Sequence, residues 1–496
     1  MKLRVASLLG ALLLAGCAVT PPPVANPATD AALRAAVSRH IEVLASDEFE
    51  GRKPGTEGEA KTLRYLAREW QAAGLESGTN DPANPWFAPT ELVSSTPERS
   101  VVRFSRGGRA LPLSQDEVEA FSSGTRGLVE GAPVLFVGGQ GERLDTALLA
   151  GRVVLMLWDS PGQSEQREAL LRGGAAAVLG IVAGRAELDA LAEARRLGSY
   201  RLADADGADT LDGFITREAV ASLIGRERFE AYMRAAREPD FKPVTLDLKA
   251  SIEAVSVAGA VRTFNLIARL PGKRPSAGAV LLLAHWDHFG HCGVEAGPPE
   301  ICNGAVDNAS GLAVLTEVAR RLAAGPRLER DIYFLATTGE EWGLLGAQAF
   351  AENPPIPLDS IVAAFNLDTV AVAPAGTPVA IVGRGLTPLD PGILEVLRQT
   401  GRRESDEGLA RDYLRRQDGW ALLQRDVPAV SVTSAFGSAE ALDRYIAQRY
   451  HQPSDKSGGI ELGGAIEDLL LTEALVRHFA DPAKWAATAG KSAGPL

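Results

Sequence analysis

The chain has 496 residues, 46% of them hydrophobic, with 63 acidic against 51 basic side chains and a formal net charge of −12. That length exceeds one ordinary domain and predicts two or three, each with enough apolar material for a core. The acidic balance argues against nucleic acid as a partner, because binding a phosphate backbone needs a basic face.

Residues 1–17 read as a targeting segment and are set aside from the fold. Lys2 and Arg4 give a charged start and Val5 to Leu14 an apolar core. Leu14-Ala15-Gly16-Cys17 matches a bacterial lipoprotein cleavage box, in which Cys17 becomes the lipidated first residue. The competing reading is plain secretion, with a cut among small residues. Residues 18–29 contain TPPPVANPAT, a Pro-rich tether. No other apolar run approaches the roughly 20 residues of a spanning helix. The expectation is therefore a bacterial cell-envelope protein, facing the periplasm or cell surface and attached to the membrane only through an N-terminal lipid.

Asp30 to Ser46 predicts a helix, with Leu33, Val37, Ile41 and Leu44 at helical spacing. After the loop EFEGRKPGTEGEA, a second helix buries Leu63, Leu66 and Trp70 and stops at Gly74, a usual C-terminal cap. Residues 75–115 read as short strands and turns. From about Leu113 the texture turns β-rich, through GAPVLFVGG and GRVVLMLWD. Thr263 to Leu270 is a strand candidate, and Pro271-Gly272 turns the chain into the apolar strand Ala279 to Ala284. A Gly/Pro-rich loop holding Cys292 and Cys302 leads to Asp307, Asn308 and a helix over Ala309 to Ala323. Asp331 to Thr337 and Ile361 to Leu367 are strands, as are Pro378 to Gly383 and Val427 to Thr433. Pro391 to Thr400 and Gly464 to Phe479 are helices. Alternating strand and helix predicts an α/β fold with a mixed, mostly parallel sheet between helices.

The chemistry gathers at the carboxyl ends of these strands, where open α/β sheets bind ligands. His285 and Asp287 follow the first strand, Glu340 and Glu341 the second, and Asp368 the third; Asp307 and His451 lie in loops. A single histidine or Glu pair is more often structural than a ligand. Two imidazoles and three carboxylates in order, with a further Glu adjacent, point instead to a metal centre. Imidazole plus carboxylate suits a catalytic zinc or similar ion, and one carboxylate shared between two ions would make a two-metal hydrolytic site. Cys292 and Cys302 have two readings, a disulfide in an oxidising compartment or thiolate ligands to a metal.

HWDH, DNASG, GEEWGLLGA, NLD and YHQPSD, in that order, resemble the di-zinc exopeptidase family that includes bacterial leucyl aminopeptidases and glutamate carboxypeptidase. The resemblance spans roughly residues 40–480. It implies two zinc ions per chain: His285 and Asp368 on one, Glu341 and His451 on the other, Asp307 bridging. It makes Glu340 the general base and sets Asp287 behind His285 to fix its tautomer. Residues 113–248 resemble a protease-associated domain inserted into a zinc peptidase domain of residues 30–112 and 249–490. Where relatives carry Ser-Asp-His, this chain reads Gln417-Asp418-Gly419, which unsettles any inherited specificity. Peptides are the expected substrates and aminopeptidase the leading activity. A carboxypeptidase or dipeptidase is the alternative, with Arg384, Arg402 and Arg403 as candidate carboxylate readers. Two further alternatives are a non-catalytic binding domain of the same fold and a single-zinc glutaminyl cyclase. Tyr413, Tyr445 and Tyr450 are candidates to stabilise an oxyanion.

Overall fold

The computed structural model describes residues 27–139, 144–159, 162–204, 209–238, 240–292, 300–406 and 408–486. The leader and Cys17 lie outside the described residues. No helix among the described residues is long and apolar enough to cross a membrane.

Strands Ala429–Thr433, Ile361–Asn366, Ala279–His285 and Asp331–Thr337 lie side by side and parallel. Ala380–Val382 closes one edge antiparallel, and the long Val244–Leu270 strand joins the other edge antiparallel. Every residue of the Ala279–His285 strand is buried, as a parallel strand covered on both faces requires. Its alternation divides the two faces. Val280, Leu282 and Ala284 enter one core, with helices Pro27–Leu44, Glu57–Ala72, Gly311–Ala324 and Gly463–Phe479. Ala279, Leu281 and Leu283 enter the opposite core, with Phe350, Leu422 and Leu423. Mixed α/β architecture with helices on both sides of a mostly parallel sheet is thus what the sequence pattern predicts.

The segment read as short strands over 75–115 is different. Phe87–Arg106 is one strand of 20 residues, paired antiparallel with the 27-residue Val244–Leu270 strand. Pro89 and Pro97 interrupt the local pattern of the run. Pairing absorbs the interruption: the register slips where Val255 faces Arg99 and Ser256 faces Pro97, so Glu98 is the extra residue of a bulge.

These two long strands carry the chain from one core to another without a linker. The second core gathers residues between Val102 and Ala254. There strands Arg126–Gly138, Val153–Leu157, Ala177–Val182 and Leu211–Thr216 are parallel. Helices Gln163–Arg172, Arg185–Arg196 and Arg217–Ile224 lie between or after them. The unit is therefore α/β in its own right.

Candidate metal centre

His285 closes its strand and is 2% exposed. Glu340 and Glu341 follow the Asp331–Thr337 strand through Gly339, whose φ of 62° lies in the left-handed region that glycine tolerates without strain. Asp368 stands two residues beyond the end of Ile361–Asn366. Asp307 arrives from the turn Ala305–Ser310 that opens helix Gly311–Ala324. His451 sits in its loop with a φ of 57°, and Thr369, beside Asp368, has 52°. Left-handed backbone at a histidine and a β-branched residue is strain that the surrounding contacts must hold in place.

Five of these side chains, His285, Asp307, Glu341, Asp368 and His451, converge. His285 Nε2 is 3.2 Å from Asp307 Oδ1 and 3.5 Å from Asp368 Oδ1. His451 Nε2 is 3.5 Å from Asp307 Oδ2 and 3.1 Å from Glu341 Oε2. Asp307 thus turns one oxygen to each imidazole. Ligand atoms of His285, Asp307 and Glu341 all lie within 4.8 Å of one another. The donor set fits a divalent ion with a preference for imidazole nitrogen and carboxylate oxygen.

The charges confirm how crowded the cluster is. Burial opposes protonation of His285, but the carboxylates of Glu340, Asp307 and Asp368 push its pKa well above the ordinary value. Burial likewise opposes His451, which Glu341 and Asp307 carry up to about 10. Burial would raise the Asp307 carboxyl, yet hydrogen bonds from His285 and His451 hold it well below the usual range. The imidazolium charges stand where cations would, so loading a metal must expel their protons. Burial drives the Glu340 carboxyl well above its ordinary value against the pull of His285, and Asp368, Asp418 and Glu341 add to the rise.

Asp287 does not hold His285 with its carboxylate, as the sequence reading had it. His285 Nδ1 donates to the Asp287 backbone carbonyl at 3.2 Å, while the carboxylate stands 4.0 Å off. That bond fixes the tautomer that leaves Nε2 free to ligate. The Asp287 carboxylate instead accepts the backbone N–H of Glu340 at 3.2 Å and of Glu341 at 3.4 Å. It anchors the Glu pair.

Several residues given no role from the sequence complete the site. His288, the last letter of HWDH, places Nδ1 2.5 Å from Glu341 Oε1. Asn308 accepts from Gly311 N and Thr369 N and donates to Leu367 O, tying the Asp307 turn to the Asp368 loop. Asp455, the last letter of YHQPSD, accepts from Val306 N and Asp307 N. Arg52 of the DEFEGR segment is wholly buried and donates to the carbonyls of Leu44, Trp286, Asn303, Gly304 and Asp307. Arg52→Met should leave those five carbonyls short of a donor and lower stability by about 3 kcal/mol or more; urea unfolding would measure it, and an unchanged midpoint would refute the bracing role.

Cys292 and Cys302 are joined as a disulfide that closes a two-stranded ribbon, Gly290–Cys292 against Glu300–Cys302. Their sulfurs are engaged with each other and not offered as thiolates. Cys302 Sγ lies 3.8 Å from the His451 carbonyl oxygen. From the inserted unit, the Tyr200 hydroxyl donates to Pro54 O, and its ring meets Trp342, the neighbour of Glu341, edge-on at 4.8 Å.

A cleft with about 140 Å³ of space for water opens on the cluster. Asp307, Glu340, Glu341 and Asp368 line it together with Tyr413, Phe436, Tyr445 and Tyr450, and with Asn366 and Ser431. Both amide atoms of Asn366 and the Tyr445 hydroxyl are buried, with no partner among the described residues. All three candidate tyrosines therefore border the cleft. Arg384 and Arg402 do not: they pair with Asp390 and Glu404, and with Glu467 and Asp468. Arg403 is not among the lining residues either, and the arginine that lines the cleft is Arg416. Gln417 borders the cleft as well, whereas Asp418 is buried beneath it and accepts from the Thr337 hydroxyl.

The α/β sheet thus brings acidic and imidazole groups together at its strand ends in an arrangement that can hold a divalent metal ion. Residues 265–467 match the model of peptidase family M28. The solved structure of an aminopeptidase from Aneurinibacillus sp. strain AM-1 superposes with a TM-score of 0.58 at 19% identity, covering 92% of this chain and 96% of that one. At that identity the likeness is one of fold. Among curated proteins, a vacuolar membrane protease of Candida dubliniensis is 34% identical over 101 residues, 20% of this chain and 10% of that protein. A probable zinc metalloprotease of Pyrenophora tritici-repentis is 46% identical over 67 residues, 14% of this chain and 15% of that protein. The match thus spans only about a tenth to a seventh of the length of these relatives.

Proposed function

We propose that this chain is an aminopeptidase that hydrolyses the amino-terminal peptide bond of peptides with two zinc ions. The observation that carries the reading is the position of Asp307 between two imidazoles, one carboxylate oxygen facing His285 and the other His451. His285 and Asp368 would hold one ion and Glu341 and His451 the other, with Asp307 shared. When bound, such ions supply Lewis acidity for the scissile carbonyl and lower the pKa of water.

The chain's own groups divide the remaining work. Asp287, by taking both backbone N–H groups of the Glu pair, holds Glu341 toward His288 and His451 and leaves the Glu340 carboxylate in the cleft. Glu340 accepts the proton of the attacking water and returns it to the departing amine. Its upward-shifted pKa is in the direction a base working near neutrality needs. The tyrosines and Asn366 offer partners to the substrate backbone. The acidic wall favours an ammonium terminus over a carboxylate one at the metal side. The same reading includes the lipid anchor at Cys17 and a protease-associated identity for the inserted unit.

The test is twofold. Elemental analysis after zinc reconstitution should find two ions per chain; one or none would defeat the two-metal assignment. Unblocked aminoacyl substrates should be cleaved and their N-acetylated counterparts hardly at all. Equal rates on both would mean that the amine is not read.

A further inference from the structure

We propose that Arg416 is a specificity determinant that reads a carboxylate on the substrate, an inference that rests on the peptidase reading above. It lines the same cleft as Asp307, Glu341 and Asp368, beside Tyr413 and Tyr450. It donates through Nη2 to the Tyr450 hydroxyl at 3.0 Å and lies 5.3 Å from the Tyr413 ring centre and 5.9 Å from that of Tyr450. Its backbone N–H is fixed on Tyr413 O at 3.1 Å. Among the described residues, no carboxylate comes within ion-pair distance of it.

Arg384 and Arg402, the arginines nearest in kind, are each held by two carboxylates, and the chain as a whole carries an excess of acid. A guanidinium has five N–H donors in a planar fork that matches a carboxylate. At Arg416 a phenol occupies one nitrogen, and the rest of the fork is left to the cleft. Aromatic faces at Tyr413 and Tyr450 keep the planar group oriented without neutralising it. Arg416 immediately precedes Gln417, where the sequence departs from Ser-Asp-His.

The substrate carboxylate has two sources. One is the free α-carboxylate of a short peptide, whose amine would reach the acidic wall while its other end meets the guanidinium. The other is an acidic side chain beside the scissile bond. The structural alternative is that Arg416 only steadies the Tyr450 ring, which stacks on His451 at 3.7 Å. A steadying role would alter turnover of all substrates alike.

Two substrate pairs separate these readings, assayed on the full zinc-loaded chain: a dipeptide against its C-terminal amide, and a glutamyl against a glutaminyl substrate blocked as an amide. One pair should show a preference of about 10–100-fold in kcat/KM for the charged member, the range expected of a charge-assisted hydrogen bond. The pair that does so identifies the source. In Arg416→Gln that ratio should fall to about 1, and in Arg416→Lys to an intermediate value. Arg415→Gln, next along the chain but over the Trp420 ring, should keep it. No preference in either pair, or a preference that survives Arg416→Gln, overturns the proposal; so does an equal slowing of charged and neutral members. Cleavage of unblocked peptides without discrimination would sink this inference alone, whereas no cleavage of any unblocked peptide would sink the aminopeptidase reading with it.

Discussion

Glu340→Gln is expected to lower kcat by about 10²–10⁴-fold, the usual contribution of a positioned general base, with the zinc content of the purified protein unchanged. The argument is one of division between neighbours. Among the described residues the Glu340 carboxylate makes no hydrogen bond or ion pair, yet it borders the cleft. Burial, together with the Asp368, Asp418 and Glu341 charges and against His285, keeps its proton affinity high. The Glu341 carboxylate, by contrast, is held by His288 at 2.5 Å and His451 at 3.1 Å. Burial would raise its pKa, but those imidazoles bring it down to about 2, a carboxylate kept ionised for a cation. Glutamine at 340 keeps shape and the backbone N–H that Asp287 accepts, so folding and metal should survive. Glutamine at 341 removes a charged donor and should lower zinc content first. Activity assays read beside elemental analysis of both variants decide it: equal metal loss in the two would end this assignment of roles.

What the sequence made legible follows from locality. The strands Ala279–His285, Asp331–Thr337 and Ile361–Asn366 are short apolar runs, each buried on both faces, so composition alone marks them. Their carboxyl ends then carry the chemistry by the geometry of parallel sheets. All five converging side chains sit in motifs whose order is visible without any contact information. The supporting contacts were hidden because they join distant segments. Arg52 reaches Asn303, Gly304 and Asp307 across about 250 positions, and nothing in DEFEGR says which carbonyls it will meet. Asp455 and Asn308 are small polar residues in turns, where a local role is the ordinary reading. The Asp287 error has the same origin: spacing places a carboxylate near His285 but cannot tell a side-chain oxygen from the backbone oxygen of the same residue. The two long strands misled for another reason. The middle of Phe87–Arg106 is mostly half-buried and pairs with the other long strand, so it lacks the hydrophobic alternation that announces a strand.

Asp307→Asn should disable metal binding more severely than the loss of any single outer partner, which typically costs about 10–100-fold in affinity. Among the described residues, Asp307 is the one side chain within ion-pair distance of both His285 and His451, so its charge serves both halves of the cluster. Asparagine keeps the volume but replaces one carboxylate oxygen with an amide nitrogen, which carries two hydrogens and no free lone pair for a cation. Whichever way the amide turns, one imidazole then faces a donor. The backbone should stay in place, because Asp455 holds the N–H groups of residues 306 and 307 and Arg52 holds the carbonyl of 307. Loss of metal with an intact fold is therefore the expected phenotype: zinc near zero after dialysis against a weak chelator, hydrolysis lost with it, and a far-ultraviolet dichroism spectrum like that of the metal-free wild type. A variant that retains two ions through the same dialysis would show that the ions do not share Asp307, and the arrangement of ligands proposed here would have to be redrawn around His285 and His451 as separate sites.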